Sequence, residues 1–417
     1  MVESPVVIVG AGVSGLICGI ELYRAGVPVL LIDKSAAVGG RIQTECVDGF
    51  LLDRGFQVLL SAYPEARRYL DYDRLDLKSF WPGAIVRYKG RFVKFVDPLK
   101  RPRDFFSTFF SPIATLMDKL RIARLNAACR RKTIEEIESQ TEVSTEDFLL
   151  DSGFSPRVIN SFFRPFLGGV FLENKLATSS QFFQFVFKMF GEGEAVLPAE
   201  GMNAIARQLA EQLPSGSLQL NATVQSVASD RVFLEGGAVQ DAAAVVLATD
   251  VATTSRFLDL AAPDEHGVWV SYFDAQRPPL DEALLVLNGS GKGVINNLSI
   301  PSNVASSYAP EGRSLLSATV LDDQVGSLEI SDEDSLANAV GEQLEEWYGP
   351  VATQWRHLKT YRIQGALPVH DLVPNKKDSV IDGMFVCGDF QGIPSTNGAM
   401  KSGRLAAERV IKKLRSD

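Results

Sequence analysis

With 417 residues, a formal net charge of −9 and 46% hydrophobic residues, this chain has the composition of a well-packed globular protein of two or three structural units. A pI near 5.1 argues against nucleic acid as the principal partner. Cys18, Cys46, Cys129 and Cys387 are scattered without a C-x-x-C, and His266, His357 and His370 stand in no nucleophile-like setting; this argues against a disulfide framework, a metal site and a hydrolase triad, and for a cytoplasmic protein.

Val6 to Val9 are continuously apolar and β-branched, as a strand buried on both faces of a parallel sheet requires. Gly10-Ala11-Gly12-Val13-Ser14-Gly15 then fits G-x-G-x-x-G: the first glycine permits a tight turn, the second lets backbone approach a pyrophosphate, and the third lets helix pack on strand. Leu16 to Ala25 read as a helix stopped by Gly26, and Pro28 to Ile32 as a second buried strand ending at Asp33, eighteen residues past Gly15. Asp33, with Lys34 beside it, is the candidate holder of a ribose diol. An arginine there would have pointed to a 2′-phosphate, so the reading is NAD or FAD rather than NADP. The opening run has no basic flank and is broken by glycines, so it reads as neither signal peptide nor membrane span.

Gly39-Gly40-Arg41 follows, a glycine pair and a fixed cation suited to a second approach to a diphosphate or flavin edge. Gly49 to Gly55 and then Phe56-Gln57-Val58 read as another strand and turn whose glycine brings main chain near a flat ring. Fifteen of the twenty-five phenylalanines lie between Phe105 and Phe190, so this stretch packs a helical core, the commoner case, or lines a cavity for an apolar ligand. Within it, Lys119 to Lys132 carries six cations and no acid, with Leu116, Leu120, Ala123 and Ala127 on one helical face. Such a helix suits an anionic membrane surface; a solvated face neutralised by the acidic run 133–147 is the simpler expectation.

Past residue 195 the pattern returns to α/β, with a buried strand over Ala244 to Ala248 and Thr249-Asp250 at its carboxyl end, where open sheets bind ligands. Residues 263–364 form a mixed segment of strands and one amphipathic helix. The tail, "GMFVCGDFQGIPSTNGAMKSGRLAAERVIKKL", reads as a strand, a Gly-Asp turn, a polar loop and a last helix. The start of that helix, at Asn397-Gly398-Ala399, favours negative charge such as that of a reduced flavin at N1/C2=O.

Head, Gly-Gly-Arg block and tail together resemble the flavin-dependent amine oxidase, phytoene desaturase and protoporphyrinogen oxidase superfamily, as do "RPFLGGVF…LATSS" and "YRIQGALPV" for the last two branches. The resemblance implies an α/β fold: a Rossmann-type, GR2-like FAD-binding domain assembled from residues 1–80, 195–262 and 365–417, a helical Phe-rich unit over 81–194, and an α+β substrate domain over 263–364. It implies that Gly10, Gly12, Ser14 and Gly15 cradle the FAD pyrophosphate, Asp33 holds the adenosine ribose, and Gly39, Gly40 and Arg41 flank the diphosphate. Gly55, Phe56 and Gln57 would approach the isoalloxazine and Val224 would meet adenine. Gly388, Asp389, Asn397, Gly398 and Ala399 would hold the ribityl chain and pyrimidine ring.

The C-terminal loop "GIPSTNGAM" has neither the cysteine that attaches flavin covalently in some amine oxidases nor their aromatic residue, which Phe390 or Tyr361 would have to replace. Non-covalent FAD and a small, lipophilic substrate such as a polyene or tetrapyrrole are the expectation, with peripheral membrane contact. The alternatives are a peroxide-producing amine oxidase and a flavoprotein isomerase. No protein base is nominated.

Overall fold

The strand Val6–Val9 is fully enclosed, and its four branched side chains fill both faces of a six-stranded sheet. In a computed structural model describing residues 4–96, 110–326, 330, 332–369 and 380–416, that sheet runs in the order Leu218–Gln219, Val29–Ile32, Val6–Val9, Ala244–Leu247, Met384–Val386, Val380–Ile381. All neighbours are parallel except the last pair. Val6 lies opposite both Val29 and Ala244, so the chain leaves this strand on one side and returns on the other. That reversal is where open α/β sheets form a ligand crevice. The helix Val13–Arg24 crosses between the first two strands and ends at Gly26, whose φ of +80° only glycine adopts freely. It packs along the last helix, Thr396–Leu414. A Cβ on Gly403 would stand 2.2 Å from the Ser14 carbonyl, so glycine permits this contact between head and tail.

A second, seven-stranded sheet runs in the order Arg356–Pro368, Glu265–Ala275, Ser314–Leu321, Asn297–Ser299, Leu285–Leu287, Gly83–Tyr88, Arg91–Val96. The two strands between 83 and 96 thus belong with residues 265–368, not with the helices that follow them. Their pairing, Leu285 opposite Ala84 and Leu287 opposite Val86, spans some two hundred residues of sequence and leaves no local signal. Part of the first phenylalanine cluster, residues 105–109, and His370 lie outside the described residues.

The helices Leu116–Arg131, Thr145–Asp151, Arg164–Phe171 and Ser180–Glu192 make the Phe-rich unit. Its phenylalanines divide between the two expected uses. Phe163, Phe171, Phe183 and Phe185 are enclosed core, Phe163 meeting Phe154 and Phe183 at centroid distances of 5.1 and 6.1 Å. Phe162, Phe166, Phe187 and Phe190 face a cavity instead.

Asp53, at the end of the strand Phe50–Asp53, ties these layers together. Its side chain accepts from Thr44 Oγ1 at 2.5 Å, the Met202 amide at 3.0 Å and Tyr308 OH at 2.9 Å, while its carbonyl accepts from Tyr272 OH at 2.7 Å. Burial, only partly offset by these donors, pushes its carboxyl from 3.8 up to about 6. The folded state therefore holds this proton to higher pH than the unfolded chain. Stability from this group is fully present below pH 3.8 and is lost as pH rises through about 6, to the extent of about 3 kcal/mol. Asp53→Asn is expected to remove that decline, which denaturant midpoints of both proteins between pH 4 and 7 measure.

Candidate active site

A cavity of about 1500 Å³ runs from the carboxyl edge of the parallel sheet, between the seven-stranded sheet and the helical unit. At its nucleotide end two glycine loops face each other. Gly10 turns at φ +109°, where a Cβ would lie 2.7 Å from the Ala248 carbonyl. The Gly39 amide donates to the Ala11 carbonyl at 2.9 Å, which sets Gly39-Gly40 against Gly12. A Cβ on Gly12 would have only Gly40 Cα within 4 Å, at 3.9 Å, so this position opens onto the cradle rather than onto packing. Gly15 does the opposite work: a Cβ there would meet the Gly10 carbonyl at 2.0 Å, and it does not line the cavity.

Gly10, Gly12, Ser14, Asp33, Lys34, Gly39 and Gly40 all line this end. The Asp33 carboxylate is pinned at the strand end, accepting from the Ala11 amide at 2.7 Å and the Ser35 amide at 2.8 Å. Val224 reaches the same end from the start of the strand Val224–Ala228.

Arg41 links three distant pieces of chain. Its Nη2 donates to Asp389 Oδ1 at 2.6 Å and its Nη1 to the Ala366 carbonyl at 3.0 Å, while Gln57 Nε2 donates to the Arg41 carbonyl at 3.0 Å. Burial opposes the charge on Arg41, but Asp389, with Glu265 and Asp250 behind it, outweighs burial and raises its pKa. Glu265, which sequence reasoning missed, is itself pushed up by burial and by Asp250, and its Oε1 has no hydrogen-bond partner among the described residues. Gly55, Phe56, Gln57, Arg41, Gly388, Asp389 and Ala399 line the middle of the cavity.

Asn397 and Gly398 do not line it. Asn397 is buried and its Oδ1 accepts from the Glu65 amide at 3.0 Å, capping the helix Pro64–Tyr69. The Gly398 amide is taken by Ser395 Oγ at 3.0 Å, and a Cβ on Gly398 would stand 2.0 Å from the Ile393 carbonyl. Ser395 and Thr396 line the cavity in their place. Of the two candidate aromatic substitutes, Tyr361 lines the wall, its hydroxyl donating to Glu45 Oε2 at 2.8 Å, whereas Phe390 packs beneath Gly388.

At the far end the helix Leu116–Arg131 presents Lys119, Ile122, Ala123, Asn126, Ala127 and Arg130 to the cavity, the three-four spacing of one helical face. Of the four apolar positions expected on one face, Ala123 and Ala127 line the cavity, whereas Leu116 and Leu120 are 57% and 53% exposed. Two acids of the run 133–147 pair elsewhere. Glu138 pairs with Lys401 at 3.0 Å and Glu146 pairs with Arg164, while Arg124, Arg130 and Arg131 make no ion pair among the described residues. No helix among the described residues is long and apolar enough to cross a membrane.

This arrangement has counterparts. Over 164 residues the chain is 27% identical to protoporphyrinogen oxidase 2 of Arabidopsis thaliana, a match to 39% of this chain and 32% of that protein, about a third of its length. Over 458 residues it is 22% identical to a 15-cis-phytoene desaturase of an Oncidium hybrid cultivar, covering 98% and 78% of the two chains. Its fold superposes on a redesigned double mutant of putrescine oxidase with a TM-score of 0.72 at 19% identity, over 98% and 99% of the two chains. The flavin containing amine oxidoreductase family matches residues 13–411, from the start of the first helix into the last one. That span takes in nearly the whole chain, with Asp33 and the Gly39-Gly40-Arg41 wall of the cradle, and the protein belongs to this family and is a flavin-dependent oxidoreductase.

Proposed function

We propose that the protein binds FAD non-covalently and removes two electrons, as hydride, from a lipophilic substrate such as a polyene or tetrapyrrole. The observation that carries this reading is the continuity of one cavity from the glycine cradle to a chamber walled by Phe162, Phe166, Phe187 and Phe190. The pieces 1–80, 195–262 and 365–417 act as the FAD-binding unit, and the residues at the cradle fit that group: Gly12 and Gly40 leave room for a diphosphate where a side chain would fill it. Asp33 takes the ribose diol with Lys34 beside it, Val224 meets adenine, and Arg41 neutralises phosphate charge while Asp389 faces the ribityl hydroxyls. FAD, when bound, supplies the electron-accepting N5. The chain's part is to bind, to orient and, through the phenylalanine walls, to exclude water.

Lys119 and Arg130 at the chamber end favour a neutral or anionic substrate over a cationic amine. Arg124, Arg130 and Arg131, without an ion pair among the described residues, beside exposed Leu116 and Leu120 support collection of that substrate by a cytoplasmic protein from an anionic bilayer. The amine oxidase reading draws on Tyr361, an aromatic face on the cavity wall. An anaerobic titration separates the two. Flavin absorbance is expected to bleach with a polyene or porphyrinogen delivered in anionic vesicles, more slowly from neutral ones, and to stay unchanged with primary amines. Bleaching by an amine alone overturns the lipophilic reading.

A further inference from the structure

The edge strand Arg356–Pro368 brings Lys359, Thr360, Tyr361, Arg362 and Gln364 to the cavity; beyond it the sheet wall, with Val268, Leu285 and Ala84, is apolar except at one place. Register sets Val268 opposite Leu321, Val270 opposite Thr319 and Tyr272 opposite Ser317; the next strand sets Asn297 opposite Thr319 and Ser299 opposite Ser317. Residues two apart share a face of a strand, so these four polar residues form an island bounded by Val268 and Val270 on one side and Leu287, opposite Asn297, on the other. Asn297 and Thr319 are 1% and 2% exposed, yet both line the cavity.

Their hydrogen bonds point one way. Asn296 Nδ2 donates to the Pro165 carbonyl at 3.0 Å and to Asn297 Oδ1 at 2.9 Å, which turns the Asn297 amide nitrogen toward Thr319, where it donates to Oγ1 at 3.2 Å. The second N–H of Asn297 and the hydroxyl hydrogen of Thr319 are left without an acceptor among the described residues. Ser299 behind them has no partner for its hydroxyl among the described residues. Gly169, which also lines the cavity, keeps the amide reachable: a Cβ there would lie 2.8 Å from Asn297 Oδ1. Leucine and valine would suit this wall better unless something supplies an acceptor, because an unmatched buried donor is costly.

We infer that Asn297 and Thr319 bind an oxygen acceptor on the substrate, so that the site takes an oxygenated lipophile, one with a hydroxyl, carbonyl or carboxylate on an apolar frame, in preference to a pure hydrocarbon. The inference rests on the apolar-substrate reading above and adds the group that sets orientation and selectivity. Two matched pentaene probes test it on the FAD-loaded protein: retinol, which ends in a hydroxyl, and axerophthene, which ends in a methyl. Trp81 lines the cavity, so quenching of tryptophan fluorescence reports binding. Wild type is expected to bind retinol about tenfold more tightly than axerophthene. The Asn297→Leu/Thr319→Val double variant is expected to lose about tenfold for retinol while axerophthene changes by less than about threefold. Where that variant fails to fold, Thr319→Val alone, equal in shape, is expected to lower the retinol preference in the same direction. Equal binding of the two probes by wild type, or an equal loss of both in the variants, assigns the pair a packing role and overturns the inference alone. Failure of wild type to bind either probe removes the apolar-substrate reading along with it.

Discussion

Gly12→Ala is expected to give a folded protein that has lost its flavin. Gly12 stands at the N-cap of the helix Val13–Arg24 with φ −74° and ψ 178°, a conformation open to any L residue, and its Cβ would meet only Gly40 Cα, at an ordinary contact distance of 3.9 Å. The cost of the methyl group therefore falls on whatever occupies the cradle. FAD affinity is expected to drop by about tenfold to a hundredfold, ~1.4–2.8 kcal/mol, as a diphosphate is held off the turn amides. The melting temperature of the apoprotein should stay within a few degrees of wild type. Gly15→Ala supplies the contrast, since its Cβ would overlap the Gly10 carbonyl; it should lower apoprotein stability itself. Flavin fluorescence titration and apoprotein melting together separate the two effects, and equal flavin affinity in Gly12→Ala would remove the turn from the cofactor site.

Arg41→Met is expected to weaken both the apoprotein and its hold on FAD. Asp389 is 9% exposed at its side chain and has Arg41 as its ion-pair partner, while the Arg41 side chain is about a third exposed. Removing the guanidinium leaves Asp389 close to Asp250 and Glu265, three carboxylates with no cation among them that the ion-pair geometry supplies. Solvent access moderates the penalty to about 2 kcal/mol rather than the larger value for a fully enclosed pair. The sign of its pH dependence follows: Arg41 holds the Glu265 carboxyl down against burial and Asp250, so without it that carboxyl keeps its proton to higher pH in the folded state and the deficit should shrink as pH falls toward 5. FAD affinity should fall at least tenfold, and Arg41→Lys should recover only part, because one ammonium does not reach both Asp389 and the Ala366 carbonyl in the same geometry. Apoprotein denaturation at pH 5 and pH 8 checks the sign; an unchanged deficit would show that charge is not the cause.

What the sequence discloses here is what its short-range patterns carry. The glycines of the first turn and Asp33 are readable because strand, turn, helix and strand follow one another within thirty residues, each with its own periodicity. Asn397 looked like part of the same machinery from its place in a Gly-rich loop, but its partner is the Glu65 amide, 332 residues away in sequence. The strands between 83 and 96 were absorbed into the Phe-rich stretch for the same reason: their neighbour in the sheet is distant in the chain. Phenylalanine clusters announce a helical unit, yet only packing separates Phe163 in the core from Phe166 on the cavity. The polar island at Asn297 and Thr319 is invisible until strand register sets two separate segments side by side.

The meeting of Val13–Arg24 with Thr396–Leu414, sealed at Ser14 and Gly403, has a consequence for biosynthesis. The strand Val6–Val9 is made long before its neighbour at 244–247, and the strand at 384–386 beyond that one follows later still. The first strand must therefore wait with an exposed apolar edge until residues 244–247 have left the ribosome, the condition under which slow closure and aggregation compete. A ligand that binds only the closed form draws that competition toward the native state by mass action. The yield of soluble protein should then follow the cellular supply of flavin as well as temperature.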